Sequence, residues 1–471
     1  MPRHPRKSPG ATSGTPPQPP VAPASRNVDG PVFGQPEPTP DPSTFKVNHP
    51  SDGPAYTAID QLNTQGGLKP MPFPAPRDTP EPRLTLAEVF GGLQRAIAKI
   101  ETTNKQIVFH ALGDCGNTRG PKTQNEVTDK MIGDFNEAGA LEVPQFALLL
   151  GDIVYSFGEV EYYYDQFYEP YRSYPAPVLA AAGNHDGMVS PLAHAKVLDG
   201  YLRNWCADPA QGFVVMPEAG GLSRTAQIQP GVFFTFEAPF VRILVFYSNT
   251  LEDPGVISNA DIGASQLTFL ETALKRIKSE GFAGAILFAH HHPPYAFGGQ
   301  HSSSSTMRQQ MDKICAAQGV WPHAVLAGHA HSYQRFTRHR ADGTEIPYII
   351  SGNGGHNVQK LRPGKGGTLR VPQVLQKKAA NEDAVTFESY DDTNYGYLRL
   401  IVDSKQLRIE YHPASDGATA KTPDDSVTID LSSRKRTTYT ANDLGLPNLA
   451  KVARSKVKAP ARPRKAGRSK G

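Results

Sequence analysis

The chain has 471 residues, a net charge of +4 and 38% apolar content, enough for one large domain or two to three smaller ones. Its three cysteines (Cys115, Cys206, Cys315) are widely spaced with no C-x-x-C pair, which argues against a disulfide framework or a cysteine-zinc site. No apolar run reaches membrane-spanning length, so no transmembrane segment is expected. The basic start Met1–Lys7 leads into prolines instead of an apolar segment, so a secretory signal is not expected; the cytoplasm is then the default location, with other export routes open.

Charge is placed unevenly. From Lys451 to Gly471 there are nine Lys or Arg and no acid, and without them 40 basic residues face 45 acidic ones. The basic balance therefore belongs to the tail and says little about an active site.

In chain order, residues 1–83 read as a Pro-rich, disordered arm with too few large apolar residues for a core of its own. Thr85 and Glu88 form a capping-box pattern, and Leu86, Val89, Phe90, Leu93, Ile97 and Ile100 recur at helical spacing. That predicts one amphipathic helix over 85–100. Strands are then expected at 107–112, 146–150, 178–182, 242–247, 285–289 and 324–327, with a helix around 266–278. Antiparallel strands close the domain at 347–351, 397–402 and 406–411. From about 432 the chain turns polar and then basic, and reads as a disordered tail. The catalytic domain is thus placed at 84–431, as a mixed α/β sandwich with its functional residues on one strand-end rim.

Several of these strands run into metal-ligand side chains. Gly113-Asp114, Gly151-Asp152, Gly183-Asn184-His185-Asp186, His290-His291-His292 and Gly328-His329-Ala330-His331 each follow an aliphatic run, and His301 lies further along. Each glycine permits a tight turn, after which the next side chain can point into a shared cleft. Carboxylates, an amide, imidazoles and a phenol suit two divalent or trivalent cations of intermediate hardness. Asp152 is the natural bridge between cations roughly 3.5–4 Å apart, whereas Asp114 serves one. Asn184 offers a neutral oxygen, which keeps the site able to accept an anion. His185 suits general acid work on a leaving alkoxide, with hydrogen bonding to Asp186 or Asp152 as its bland alternative. His329 and His331 point opposite ways in an extended segment, one towards each cation. Spacing does not choose among His290, His291 and His292. Cys115 and the aromatic cluster Tyr162–Tyr171 read as packing, and His356 either faces the site or caps a loop.

This ordered series resembles the calcineurin-like metallophosphoesterases, and within them the purple acid phosphatase branch. Position 116 is Gly where many members carry a histidine, and Tyr155, three residues after Asp152, is the replacement used by that branch. Gly113-Asp114-Cys115-Gly116-Asn117-Thr118, Gly328-His329-Ala330-His331-Ser332-Tyr333-Gln334-Arg335 and Gly352-Asn353-Gly354-Gly355 are also similar to it. The resemblance covers roughly 106–417. It implies a four-layer α/β/β/α sandwich with a dinuclear site at strand-end loops. It implies Asp114, Asp152, Tyr155 and His331 at metal 1, and Asp152, Asn184, His291 and His329 at metal 2. His291 is selected by its place two residues before Pro293, and His301, ahead of Met307-Arg308, is a looser match to a substrate-side histidine. Iron is implied at site 1, where a phenolate needs a strongly Lewis-acidic ion, with Zn, Mn or Fe at site 2.

The expected activity is therefore phosphate-ester hydrolysis, most simply of small phosphomonoesters as an acid phosphatase, by in-line attack of a metal-bound hydroxide with His185 and His301 assisting. A phosphodiesterase or nuclease on the same two-metal site is the alternative, with the basic tail as a contact for a polyanion. A binding protein that merely retains the fold is disfavoured, because every expected ligand position holds a competent side chain.

Overall fold

The computed structural model describes residues 71–137, 142–188, 196–248, 253–298, 301–362, 369–376, 383–414 and 423–441. The arm up to 70 and the basic tail from 442 lie outside the described residues. Strands run β1 (Arg83–Thr85), β2 (Gln106–Leu112), β3 (Ala147–Leu150), β4 (Val178–Ala181), β5 (Phe234–Ala238), β6 (Val241–Val245), β7 (Ala285–Ala289) and β8 (Ala324–Ala327). They continue as β9 (Tyr333–His339), β10 (Glu345–Ser351), β11 (Gln373–Gln376), β12 (Ala384–Asp391), β13 (Gly396–Asp403), β14 (Gln406–Pro413) and β15 (Asp425–Asp430).

These strands form two sheets. One has the order β15-β14-β13-β2-β3-β4, and the other β1-β5-β6-β7-β8-β10-β9-β12-β11. β2, β3 and β4 are mutually parallel, as are β6, β7 and β8, so each sheet has a parallel block whose strand ends share a direction. The remaining pairings are largely antiparallel, including the expected closing strands β13 and β14.

Alternation along the strands explains the layers. Ile107, Phe109, Leu148, Leu150, Leu179, Ile243, Val245, Leu287, Ala289 and Leu326 share one core between the sheets. Their neighbours of opposite parity, including Leu149, Ala180, Leu244, Phe288 and Val325, pack in a second core with helical residues such as Val127, Met131, Phe269, Leu274 and Met311. β3, β4, β7 and β8 are buried along their whole length, which is why each reads as an aliphatic run without polar alternation. Each fully buried Leu, Ile or Phe contributes about 2 kcal/mol. The result is the α/β/β/α sandwich.

The N-terminal helix is a correction. Helix stops at Val89, Gly91 and Gly92 take φ of +65° and +82°, and helix resumes only over Gln94–Lys99 before a wider turn at Ile100–Asn104. Two adjacent glycines in left-handed conformations cannot continue an α-helix. The capping box is present, with Glu88 N–H donating to Thr85 Oγ1 at 3.1 Å and Thr85 N–H to Glu88 Oε2 at 2.7 Å. Leu86, Val89, Phe90 and Ile100 remain buried, so the spacing read the packing correctly and the continuity wrongly. The aromatic cluster is likewise packed through two short turns at Val160–Tyr162 and Tyr164–Tyr168.

Within the stretch read as arm, residues 71–83 lie on the body. Phe73 packs edge-on against Phe233 and Tyr247, and Arg77 donates to the carbonyls of Ile228 and Gln229. Past Leu431, Arg434 donates to the Trp321 and Pro322 carbonyls, and Arg436 pairs with Glu345 and Glu388.

Candidate metal centre

The site lies where the parallel blocks end. Asp114, Asp152 and Asn184 follow β2, β3 and β4 in one sheet, and His291, His329 and His331 follow β7 and β8 in the other. One sheet thus supplies the oxygen donors expected as ligands, including Tyr155, and the other supplies the imidazoles. Asp114 and Asp152 both sit at φ +56° and His329 at +67°, so each chain turns sharply as it leaves its strand. Gly183 must lack a Cβ, because one there would overlap the Asp152 carboxylate.

The Tyr155 hydroxyl is the meeting point of the first group. It donates towards Asp152 Oδ2 (3.0 Å) and Asp114 Oδ1 (3.1 Å) and lies 3.3 Å from His331 Nε2. His331 Nε2 is 3.2 Å from Asp114 Oδ1, and its Nδ1 is held by Asn357. Burial works against charge on His331, but Asp114 outweighs it and raises the imidazole above its usual value.

The second group centres on Asp152 and His291. His291 Nδ1–H donates to the Leu150 carbonyl (2.7 Å), which fixes the tautomer and presents Nε2 to Asp152 Oδ2 at 3.1 Å. Burial opposes charge on His291, and the Asp152 and Asp114 carboxylates overcome it, lifting the group to about 9. Burial likewise opposes ionisation of Asp152, yet His291 and His185 hold its carboxyl well below the ordinary range. His292 turns to Ser248 Oγ (3.0 Å), and burial lowers it to about 3. His290 is fully buried without a hydrogen-bond partner among the described residues. Of the three histidines, His291 is the one whose ring meets Asp152. Asn184 is buried at the start of the turn Asn184–Gly187.

His185 stands beside these groups. Its Nδ1–H donates to the Ser156 carbonyl (2.7 Å), and Nε2 lies 3.9 Å from Asp152 Oδ2. His301 reaches the rim, with its ring centre 4.1 Å from that of His329 and its Nδ1 3.4 Å from Asp253 Oδ2.

Two residues, Asp253 and Asn357, went unread in the sequence, and a third, Asp186, was read only as a partner for His185. Asp253 pairs with both His329 (3.1 Å) and His301 from a loop before a proline, where no spacing signals it. Asn357 holds His331. Asp186 accepts the backbone N–H groups of Asp152, Ile153 and Gly183 at 2.8–3.0 Å, tying two ligand loops together. Its place in Gly-Asn-His-Asp was the available signal. His356, left open between two roles, stacks on Tyr155 with ring centres 3.6 Å apart and planes 7° from parallel.

The donors fit cations. Ligand atoms of Asp152, His291 and His329 lie within 4.8 Å of one another, and the buried Nε2 of His291 faces a carboxylate without making a hydrogen bond. A cation between them satisfies both. Residues 93–333, about half of the chain, match the family model for calcineurin-like phosphoesterases. This chain belongs to that family. It is similar to a probable purple acid phosphatase (number 20) of Arabidopsis thaliana, 25% identical over 254 residues, which are 52% of this chain and 49% of the relative. The match thus spans about half the length of that relative. Among solved structures, GAP50, the anchor in the inner membrane complex of Plasmodium, aligns at 12% identity and TM-score 0.44 over 74% of this chain and 94% of its own. PhoD aligns at 11% and 0.42 over 71% and 72%.

Proposed function

We propose that this protein hydrolyses phosphate esters, phosphomonoesters foremost, as an acid phosphatase of the purple type. The observation that carries the reading is the Tyr155 hydroxyl, buried within 3.0–3.3 Å of Asp114, Asp152 and His331. A phenol so placed is a ligand for a trivalent ion, and iron is its natural occupant. Asp114, Asp152, Tyr155 and His331 would hold one cation, and Asp152, Asn184, His291 and His329 the other. When bound, such a pair supplies charge to polarise a phosphoryl group and to acidify water.

The chain's own groups do the rest. His291 is locked in the tautomer that exposes Nε2. His185, anchored through Nδ1, holds a proton at Nε2 for the departing alkoxide. Asp186 fixes the loops that carry Asp152 and Asn184. His301 stands where a phosphoryl oxygen can be met at the rim.

A phosphodiesterase or nuclease is the second reading. Asp253, beside His301, opposes a second negative charge on the substrate and so favours diesters, as the basic tail favours a polyanion.

A visible spectrum with metal analysis, repeated on Tyr155→Phe, tests the leading reading. A broad band lost in the variant, with about two metals per chain, is expected. A colourless protein holding Zn or Mn removes iron and demotes Tyr155. A higher kcat/KM for bis-aryl than for mono-aryl phosphate transfers the assignment to a diesterase.

A further inference from the structure

The metal centre uses one end of β7 and β8. At the end where those strands begin, a second cavity of about 360 Å3 opens to solvent. Lys278, from the end of the helix Ser265–Ser279, lines it together with Trp321 and His323 ahead of β8, Arg340 in the β9–β10 turn, and Arg434 beyond β15.

The wall is rich in donors and poor in acceptors. Three cationic side chains face a single carboxylate, Asp342, among the lining residues. Each cation has a bond that places it. Lys278 Nζ donates to the Gln318 carbonyl (2.8 Å), Arg340 Nη1 to Asp342 (2.5 Å), and Arg434 Nη2 to the Trp321 and Pro322 carbonyls (2.7 and 2.6 Å). Those bonds leave donor capacity over. Arg340 Nε is buried without a hydrogen-bond partner among the described residues, and its guanidinium lies over Trp321, 3.7 Å from the ring centre.

Arg434 Nη1 faces His323 Nε2 at 3.1 Å. His323 Nδ1 accepts the Ile286 N–H (3.0 Å), so Nε2 carries the proton and turns it to the Leu431 carbonyl (3.4 Å), leaving the Arg434 Nη1 donors facing a ring that offers them no lone pair. Burial, with Arg340 adding to it, pushes the Arg434 guanidinium down to about 10, so charge there is held at a cost.

We propose that this cavity binds a small multivalent oxyanion of phosphate or sulfate type, held by Lys278, Arg340 and Arg434 and separate from the metal centre. Its oxygens meet Lys278 Nζ and the terminal nitrogens of Arg340 and Arg434, whose placing bonds leave donors over. The site stands on its own residues and does not depend on the proposed hydrolysis.

Trp321 provides the reporter. The chain has two tryptophans, and the other, Trp205, is buried against Phe167 and Tyr201. In Trp205→Phe protein, emission is titrated with orthophosphate, pyrophosphate and sulfate against sodium chloride at matched ionic strength. A saturable response to any of the three, absent with chloride, is expected. A response to orthophosphate identifies the free ion, and a response to pyrophosphate alone identifies a polyphosphate group. The dissociation constant should weaken at least tenfold in the Lys278→Gln/Arg340→Gln double variant and stay within twofold in His291→Ala. A response shared by chloride, no response, one that survives the double variant, or one abolished by His291→Ala overturns the proposal. Should Trp205→Phe fail to fold, the difference between wild-type and Trp321→Phe emission gives the same titration.

Discussion

Asp114, Asp152 and His329 carry their side chains on left-handed backbone, which costs an L-residue about 1 kcal/mol or more apiece. Asp114 N–H donates to the Gly151 carbonyl, and the Asp152 and His329 N–H groups donate to Asp186 and Asp114, so these turns are held by their own hydrogen bonds. His185 is placed differently, through Nδ1 to the Ser156 carbonyl and its backbone N–H to Asp152, and need not help to hold metal. His185→Ala should keep its metal content yet lose on the order of 10²–10⁴ in turnover, more on alkyl than on aryl phosphates; equal losses on both would remove its role as proton donor. His356 acts on Tyr155 through its ring face, with its Nδ1 3.2 Å from the Gly116 carbonyl. His356→Leu should release metal to a chelator about 10–100-fold more readily and move the visible band, whereas His356→Phe should restore both by keeping the stack. Unchanged release and an unmoved band in the leucine variant would make the stack incidental.

At the scale of elements, strand ends were the legible part. An aliphatic run followed by glycine and a polar side chain is a local pattern, and β2, β3, β4 and β8 each announce themselves by it, while β7 runs straight into its histidines. The histidine run was not legible, because β7 stops at Ala289 and alternation no longer governs the three residues beyond it. Asp253 was hidden for another reason: its partners lie far along the chain, and only the pairing of β6 with β7 brings that loop to the rim. Beyond the centre, the β13–β14 hairpin carries its own buried charge. Burial resists ionisation of Glu410, but His412, Arg399 and Arg408 hold it at about 2, against 4.5 for a free glutamate. A depressed carboxyl stabilises fully above the unfolded value and is lost as pH falls through the folded one. Glu410→Gln should therefore cost about 3 kcal/mol at neutral pH, and the gap to wild type should close between pH 4.5 and 2 in urea unfolding. A gap independent of pH would show that the glutamate acts by packing alone.

For the whole molecule, the basic pI of about 8.7 arises from a tail outside the described fold, so charge and catalysis are separable properties. Removing residues 442–471 should leave hydrolysis of small esters unchanged within about twofold while abolishing salt-sensitive retention on a polyanion; a fall in small-ester turnover would tie the tail to the cleft. The division of ligands between the sheets has one more consequence. The proposed oxygen ligands hang from one sheet and the imidazoles from the other, so a bound pair of cations would rivet two layers that otherwise meet through apolar packing and hydrogen bonds such as those of His291 to Leu150 and His329 to Asp114. Heat and chelation then become one perturbation: melting temperature will climb with free metal concentration, and ligand variants can be ranked by stability only when that concentration is fixed.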